Sequence, residues 1–212
     1  MAYDYSARAY LKRAEDLIAS GDGAALFYAA FELRCGIEAR MRQYLDAWQD
    51  VNKKMKIGWR MADLHRSLER SFRLGHRYAR WAVHDAGTGE LRICFYYTPV
   101  TPALKKMGEQ LGDYLHVLKG DRTYDELWWD SFRALLFECA QSLRVATSGI
   151  MIGPALLNGD NRVHMRLEIP GDLDKQAFLQ ACGIDGNMSA THASYPDTLP
   201  VNLEPQAVMW RD

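Results

Sequence analysis

The sequence predicts a mainly α-helical bundle decorated with two β-hairpins, which is an α+β arrangement. Five segments repeat apolar residues at intervals of three and four, the period of an amphipathic helix. Two further regions pair short runs of aromatic and β-branched residues across turn-forming loops, as hairpins do. A chain of 212 residues that is 48% hydrophobic can bury one core. We therefore expect one domain over residues 1–182 and an irregular tail over residues 183–212.

The first two helices form the clearest part of the pattern. The first is predicted over residues 6–18, and the carboxylate of Asp22 can cap the second by accepting hydrogen bonds from its first free N–H groups. Glu38 lies four residues from both Arg34 and Arg42, so ion pairs are expected along a polar edge. The apolar stripe of the second helix consists of Leu26, Ala30, Leu33, Ile37, Met41, Tyr44 and Trp48.

The middle of the chain predicts a helix, a hairpin and a further helix. The third helix is expected over residues 61–74. Residues 78–84 and 91–98 are rich in aromatic and branched side chains and flank a Gly-rich loop, which indicates a β-hairpin. Thr101 can cap a fourth helix over residues 102–118.

The last third begins with a fifth helix over residues 124–146. A second hairpin is predicted from residues 150–157 and 162–169, which flank an Asn- and Gly-containing loop. A short helix is expected over residues 173–181. Beyond it, apolar periodicity stops and Gly, Asn, Ser, Thr and Pro dominate, which indicates the irregular tail.

Charge is segregated along this chain. Residues 53–80, called the basic segment below, hold nine basic and two acidic residues, a net charge of +7. The remaining 184 positions hold 17 basic and 25 acidic residues, a net charge of −8. The basic members are Lys53, Lys54, Lys56, Arg60, Arg66, Arg70, Arg73, Arg77 and Arg80.

Such a segment produces a local positive field that attracts phosphates or an acidic protein. From Arg66 the arginines follow at intervals of four, three, four and three, as on one helix face. Gly75 is expected to interrupt that helix, which would leave the last two arginines on a strand of the first hairpin. The residues predicted to bind nucleic acid are Arg60, Arg66, Arg70, Arg73, Arg77 and Arg80.

Common motifs for nucleotide hydrolysis, hydride transfer and zinc hydrolysis are absent from the sequence, so we expect neither a cofactor nor a metal site. The four cysteines form no Cys-x-x-Cys pair. Apolar runs are far shorter than the roughly 20 residues of a membrane helix, and the N-terminus lacks a secretory pattern. The sequence therefore predicts a cytoplasmic protein without a membrane partner.

Residues 24–38, Ala-Ala-Leu-Phe-Tyr-Ala-Ala-Phe-Glu-Leu-Arg-Cys-Gly-Ile-Glu, resemble the opening helix pair of the HEPN superfamily of prokaryotic helical bundles. The resemblance covers residues 5–48, and the helices predicted at 102–118 and 124–146 could complete the bundle. HEPN domains commonly form dimers. Many are metal-independent RNases in antiviral defence or toxin–antitoxin systems, and others are non-catalytic partners. The resemblance thus implies an RNA-related role, with RNA favoured over DNA, and a homodimer.

RNases of the HEPN superfamily carry an Arg followed after four to six residues by a His at the start of the last bundle helix. Arg133 and Arg144 in the corresponding helix have no such histidine. Of the matches elsewhere, we select Arg70 to hold a phosphate and His76 to move a proton as the RNA 2′-hydroxyl attacks. The matches are Arg60 with His65, Arg70 with His76, and Arg77 with His84.

Three functional hypotheses follow from the sequence. The leading hypothesis is a non-catalytic or weakly catalytic HEPN-like module whose basic helix and hairpin bind nucleic acid or an acidic protein. The second is a metal-independent endoribonuclease that uses the Arg70 and His76 pair. The third is a scaffold whose hairpins pair with another chain.

Overall fold

A computed structural model of the chain describes residues 3–47, 61–72, 77–85, 87–115, 125–157, 163–168 and 191–194. Within these ranges the predicted class is confirmed, because helices dominate and the strands pair antiparallel. The helices are α1 (Ala7–Ser20), α2 (Gly23–Ala47), α3 (Met61–Phe72), α4 (Pro102–Leu115) and α5 (Glu126–Ser148). The strands are β1 (Ala79–His84), β2 (Leu91–Tyr97), β3 (Leu156–Leu157), β4 (Val163–His164) and β5 (Thr191–Ser194).

The chain divides into two compact units. The first comprises residues 1–76 and 100–147, and the second comprises residues 77–99 and 148–212. The first unit holds α1 to α4 and nearly all of α5, whereas the second holds the strands. The sequence pattern, which predicted one domain over residues 1–182, did not distinguish these two units.

Local hydrogen bonds define where α1 and α2 begin and end. Ser6 Oγ accepts a hydrogen bond from Ala9 N at 3.2 Å, and Asp22 Oδ2 accepts one from Ala25 N at 3.3 Å. Gly21, with a φ of 72°, ends α1 in the left-handed conformation that glycine adopts without a steric penalty. The predicted cap at Asp22 is therefore confirmed.

Helix α2 forms the centre of the first unit and packs against α1, α3 and α4. Its predicted apolar stripe is confirmed, since every member inside the described residues is buried. Trp48, the last predicted member, lies outside them. The buried members are Leu26, Ala30, Leu33, Ile37, Met41 and Tyr44.

Helix α5 runs parallel to α2 along the same core. Trp129 lies against Gly23, and near the other end the guanidinium of Arg40 donates from Nε to Ala146 O at 2.9 Å. Between these points a Cβ on Gly36 would lie 2.8 Å from Leu143 Cδ2. The absence of a side chain at Gly36 thus leaves room for the Leu143 side chain of α5 and for Tyr10 of α1.

An aromatic cluster anchors the first turns of α5 to α2 and α4. Phe132 is fully buried at its centre. Its ring stacks on Tyr114 with the centroids 4.4 Å apart and the planes 10° apart, and Phe27 lies 5.4 Å away. Trp128 and Trp129 complete the cluster. Contacts between offset aromatic rings stabilise a core beyond the burial of their area.

Helices α3 and α4 pack against α2 and against each other. Thr101 Oγ1 accepts a hydrogen bond from Leu104 N at 3.1 Å, which confirms the predicted cap. A Cβ on Gly108 would lie 2.6 Å from Met61 Sδ and 2.9 Å from Ile37 Cδ1. The three helices α2, α3 and α4 therefore meet at a glycine that leaves room for the Met61 side chain.

In the second unit, β1 and β2 form the predicted first hairpin. Asp85 Oδ1 accepts hydrogen bonds from Gly87 N at 2.8 Å and Thr88 N at 3.0 Å, which stabilises the connecting turn. Gly89 follows with a φ of 74°. These contacts hold the two strands in an antiparallel register that pairs Arg80 with Tyr96.

Part of the segment that was expected to be irregular forms a strand. β5 pairs antiparallel with the free side of β1, so the sheet order is β2-β1-β5 and β1 is central. Because β1 has unpaired backbone groups on the side away from β2, a third strand satisfies them. A four-residue strand within a polar segment carries too little periodicity to be recognised in the sequence.

The second predicted hairpin is confirmed as an antiparallel pairing, although its regular strands are short. β3 and β4 pair over two residues each, with an isolated bridge between Met151 and Leu167. Ile152 N donates to Arg166 O at 2.8 Å, which continues the pairing beyond the strands. The short helix predicted over residues 173–181 lies outside the described residues. Among the described helices, none is both long and apolar enough to cross a membrane.

Candidate nucleic-acid interface

The structure distributes the predicted site residues over both units. Arg66 and Arg70 are exposed on α3, one helical turn apart, in the first unit. Arg77 is exposed just before β1 and Arg80 is half-buried on β1, both in the second unit. The predicted change from helix to strand is therefore confirmed for Arg66, Arg70 and Arg80, whereas Arg77, which was predicted on the strand, lies two residues before it. Arg60, Arg73 and His76 lie outside the described residues.

Helix α3 itself carries no net positive charge. Its two arginines are balanced by Asp63 and Glu69. Arg66 Nη1 lies 3.0 Å from Asp63 Oδ1 in an exposed ion pair, which is worth at most about 1 kcal/mol. The net charge of +7 therefore comes from the two flanks of α3, four basic residues before it and three after it. The attraction expected of the basic segment therefore does not come from the charges of α3 itself.

His65 lies on the inner side of α3 and does not face solvent. It is 7% exposed, and its Nδ1 lies 3.6 Å from Glu69 Oε1. Burial lowers the pKa of His65, Glu69 opposes this shift, and Lys105 adds to it. A buried neutral imidazole cannot reach a bound RNA, so the match of Arg60 with His65 is not supported as a catalytic pair.

Arg80 is held against the β-sheet by its neighbours on β2. Its Nη2 lies 3.6 Å from Cys94 Sγ, and it also makes a hydrogen bond with the Tyr96 side chain. Burial raises the pKa of Tyr96, while the positive charge of Arg80 opposes that shift. Arg80 is thus engaged within the sheet, in contrast to the exposed Arg77.

Arg70 and Arg77 are the two predicted site residues best placed to meet a phosphate. Both are exposed, and in the part of the chain that the structure describes neither forms an ion pair. An exposed guanidinium can bind a phosphate through two parallel N–H groups. Within the same described ranges, no three His, Cys, Asp or Glu side chains are grouped so that they could hold a metal ion.

The sequence patterns did not reveal a cluster of polar and aromatic side chains around Arg13, between α1 and α2. The Arg13 guanidinium lies between the rings of Tyr3 and Tyr10, 4.4 and 4.6 Å from their centroids, and its Nε is 2.8 Å from Glu32 Oε2. The three-residue spacing of Tyr10 and Arg13 was the available signal, but it is shared by many surface helices.

A neighbouring groove, which shares Tyr10 with this cluster and has a volume of about 480 Å³, is lined by Cys35 and Glu38. Burial first, and then the charges of Glu38 and Glu32, raise the pKa of Cys35 to about 11. Burial also raises the pKa of Glu38, which Arg34 and Arg42 oppose. The Cys35 thiol therefore stays protonated at neutral pH, which argues against a nucleophilic role.

Comparison with known proteins gives no relatives for this chain: no protein-family model, no curated protein and no solved structure matches it. The HEPN-like assignment therefore stays a prediction. Any function has to be argued from the charge distribution and from the described side chains.

Proposed function

We propose that the protein is a non-catalytic or weakly catalytic HEPN-like module that binds RNA through the phosphate contacts of its basic segment. The observation that carries this proposal is the segregation of charge, +7 in residues 53–80 against −8 in the rest of the chain. A cationic stretch in a chain of net charge −1 attracts polyanions locally although the molecule as a whole does not. The resemblance to the HEPN superfamily is the reason for choosing RNA.

The charges on α3 indicate which part of the basic segment would attract RNA. Because Asp63 and Glu69 neutralise the charge of the helix, the flanks on either side of it supply the attraction. Arg77, which belongs to the C-terminal flank, and Arg70, near the end of α3, support this arrangement, since both are exposed. Phosphate contacts of this kind carry no sequence information, so we expect affinity without strong sequence preference.

Two charge variants test the proposal. Replacing Arg70 and Arg77 by Gln removes two exposed cations, whereas the matched control, Lys12→Gln with Asp16→Asn on α1, removes an exposed ion pair outside the basic segment without changing net charge. We expect the first variant to bind labelled single-stranded RNA more weakly and to lower the salt slope by about 1.4, since each phosphate contact contributes about 0.7. The control should bind like the wild type.

Fluorescence anisotropy at several salt concentrations measures both quantities. If the two variants bind RNA equally well, Arg70 and Arg77 do not contact phosphate, and the part of the proposal that assigns them to RNA binding is wrong. If an acidic protein binds the basic segment and RNA does not, the segment serves protein recognition instead.

The second candidate is a metal-independent endoribonuclease. It is favoured by the exposed position of Arg70 near the end of α3, six residues before His76. In this reaction His76 would take the proton of a 2′-hydroxyl while that oxygen attacks phosphorus, and Arg70 would stabilise the charge on the phosphate. The P–O5′ bond would break to leave a 2′,3′-cyclic phosphate, and water would protonate the departing 5′-oxygen. Cleavage of RNA in EDTA that disappears in His76→Ala is the expected result. Cleavage that persists in this variant would exclude His76 as the base.

A further inference from the structure

The outer face of α5 exposes apolar side chains to solvent, although a helix face in contact with water is ordinarily polar. Leu127 and Phe137 are 77% and 59% exposed, and Ala134 is exposed between them. Offsets of seven and ten residues keep the three within about 80° on a helix of about 3.6 residues per turn, and they span about 15 Å. A group of large apolar side chains exposed to this degree is typical of an interaction site.

Acidic residues surround these apolar side chains. Residues 125–141 contain four acids and one base, Arg133, so their net charge is −3. Arg133 Nη1 lies 3.5 Å from Asp130 Oδ1, so the base is already paired with one of the acids. The acids, all exposed, are Asp125, Glu126, Asp130 and Glu138. Below, "acidic face" means these four acids together with Leu127, Ala134 and Phe137.

A hollow at the edge of the acidic face is suited to a cationic side chain. It has a volume of about 540 Å³, and Glu126, Asp130 and Trp129 are among the residues that line it. Arg133 already places its guanidinium 5.8 Å from the centre of the Trp129 ring, which shows that a cation can lie over this indole. Arg133 also lines the hollow, so a lysine or arginine from another molecule would meet Glu126 and would compete with Arg133 for Asp130 and the Trp129 ring.

Buried contacts on the opposite side of α5 fix the helix that carries the acidic face. Phe132 is completely buried, and a Cβ on Gly23 would lie 3.1 Å from the Trp129 ring. A surface on a rigid helix loses little conformational entropy when a partner binds, so more of the contact energy appears as affinity.

We propose that the acidic face binds a cationic amphipathic helix of another protein. The apolar side of that helix would cover Leu127, Ala134 and Phe137, in the manner of helices that lie on apolar grooves. One of its basic side chains would enter the hollow between Glu126 and Asp130. The sign of the charge excludes a nucleic acid at this face, so the inference is independent of RNA binding by the basic segment.

A labelled synthetic helix tests this proposal directly. The probe is a leucine–lysine peptide of about 18 residues, about 27 Å long, with its leucines on one side. We expect the wild type to bind it, and Leu127→Ser with Phe137→Ser to weaken binding at least about tenfold, because a few central apolar contacts dominate such affinities. The matched control is Tyr28→Ser with Phe31→Ser, which alters residues on α2 that are 66% and 51% exposed. It should bind the probe within about twofold of the wild type.

A second comparison isolates the charge. Glu126→Gln with Glu138→Gln should weaken binding about threefold and reduce its salt dependence, and a peptide with glutamates in place of lysines should not bind. The proposal is overturned if the wild type does not bind the probe, or if the Leu127 and Phe137 variant binds it as the wild type does. It is equally overturned if sedimentation shows a dimer that this variant dissociates, since the face would then join two copies of the chain.

Discussion

Replacing Phe132 by Ala is expected to destabilise the first unit by about 4 kcal/mol. The ring is fully buried between Tyr114, Phe27 and the two tryptophans of α5. A buried Phe removes roughly 150–250 Å² from water, which at about 25 cal/mol per Å² corresponds to about 4–6 kcal/mol. Measured Phe→Ala changes in cores cost about 3–5 kcal/mol, so the two estimates agree.

The matched control for this prediction is Phe137→Ala, which removes the same side chain from the same helix. Because Phe137 is exposed, its replacement should change the free energy of unfolding by less than about 0.5 kcal/mol. Urea unfolding followed by circular dichroism measures both variants, and comparison of their m-values tests whether unfolding stays cooperative. If Phe132→Ala costs less than about 1 kcal/mol, or no more than Phe137→Ala, the aromatic cluster does not hold α5 in place.

Two further changes test other contacts of the helical unit. Because burial lowers the pKa of His65, the unfolded chain binds its proton more readily, so stability should fall as pH drops below about 6.5, by at most about 1.4 kcal/mol per pH unit. His65→Gln should flatten this pH dependence in urea unfolding, and an unchanged pH profile would show that His65 is not the titrating group. Gly36→Val should cost about 1–3 kcal/mol, since its Cβ would lie 2.8 Å from Leu143 Cδ2 and 3.2 Å from Tyr10 Cβ. A thermal melt like that of the wild type would mean that α5 can move away.

The sequence predicted those features that depend only on residues close together in the chain. The stripe of α2 was recognised because a helix repeats its buried face every three to four residues. The caps at Asp22 and Thr101 were recognised because a side-chain oxygen and its N–H partner are only three residues apart.

Contacts between residues far apart in the chain could not be predicted from these patterns. β5 joins β1 across more than a hundred residues, and its four residues show no pattern that would distinguish them from a loop. Gly36 makes room for side chains of both α1 and α5, and a glycine within a helical pattern does not indicate which residues will pack against it.

The sequence predicted which residue types form the candidate site, but it did not predict where their side chains lie. The sequence identified the excess of arginine and lysine, but it could not show that Asp63 pairs with Arg66 or that His65 turns inward. The burial of His65 depends on how α3 is rotated about its axis, whereas the pairing of Asp63 with Arg66 depends on the rotamers that these two neighbouring side chains adopt. The acidic face of α5 was overlooked because acids near a helix start ordinarily serve the helix dipole.

The salt dependence of RNA binding by the wild-type protein tests the central claim most directly. A plot of log K against log salt concentration should be linear and steeper than about −2, which corresponds to three or more neutralised phosphates at about 0.7 each. A flat plot, or an absence of RNA binding at about 50 mM salt where phosphate contacts are strong, would contradict the assignment of the basic segment to RNA.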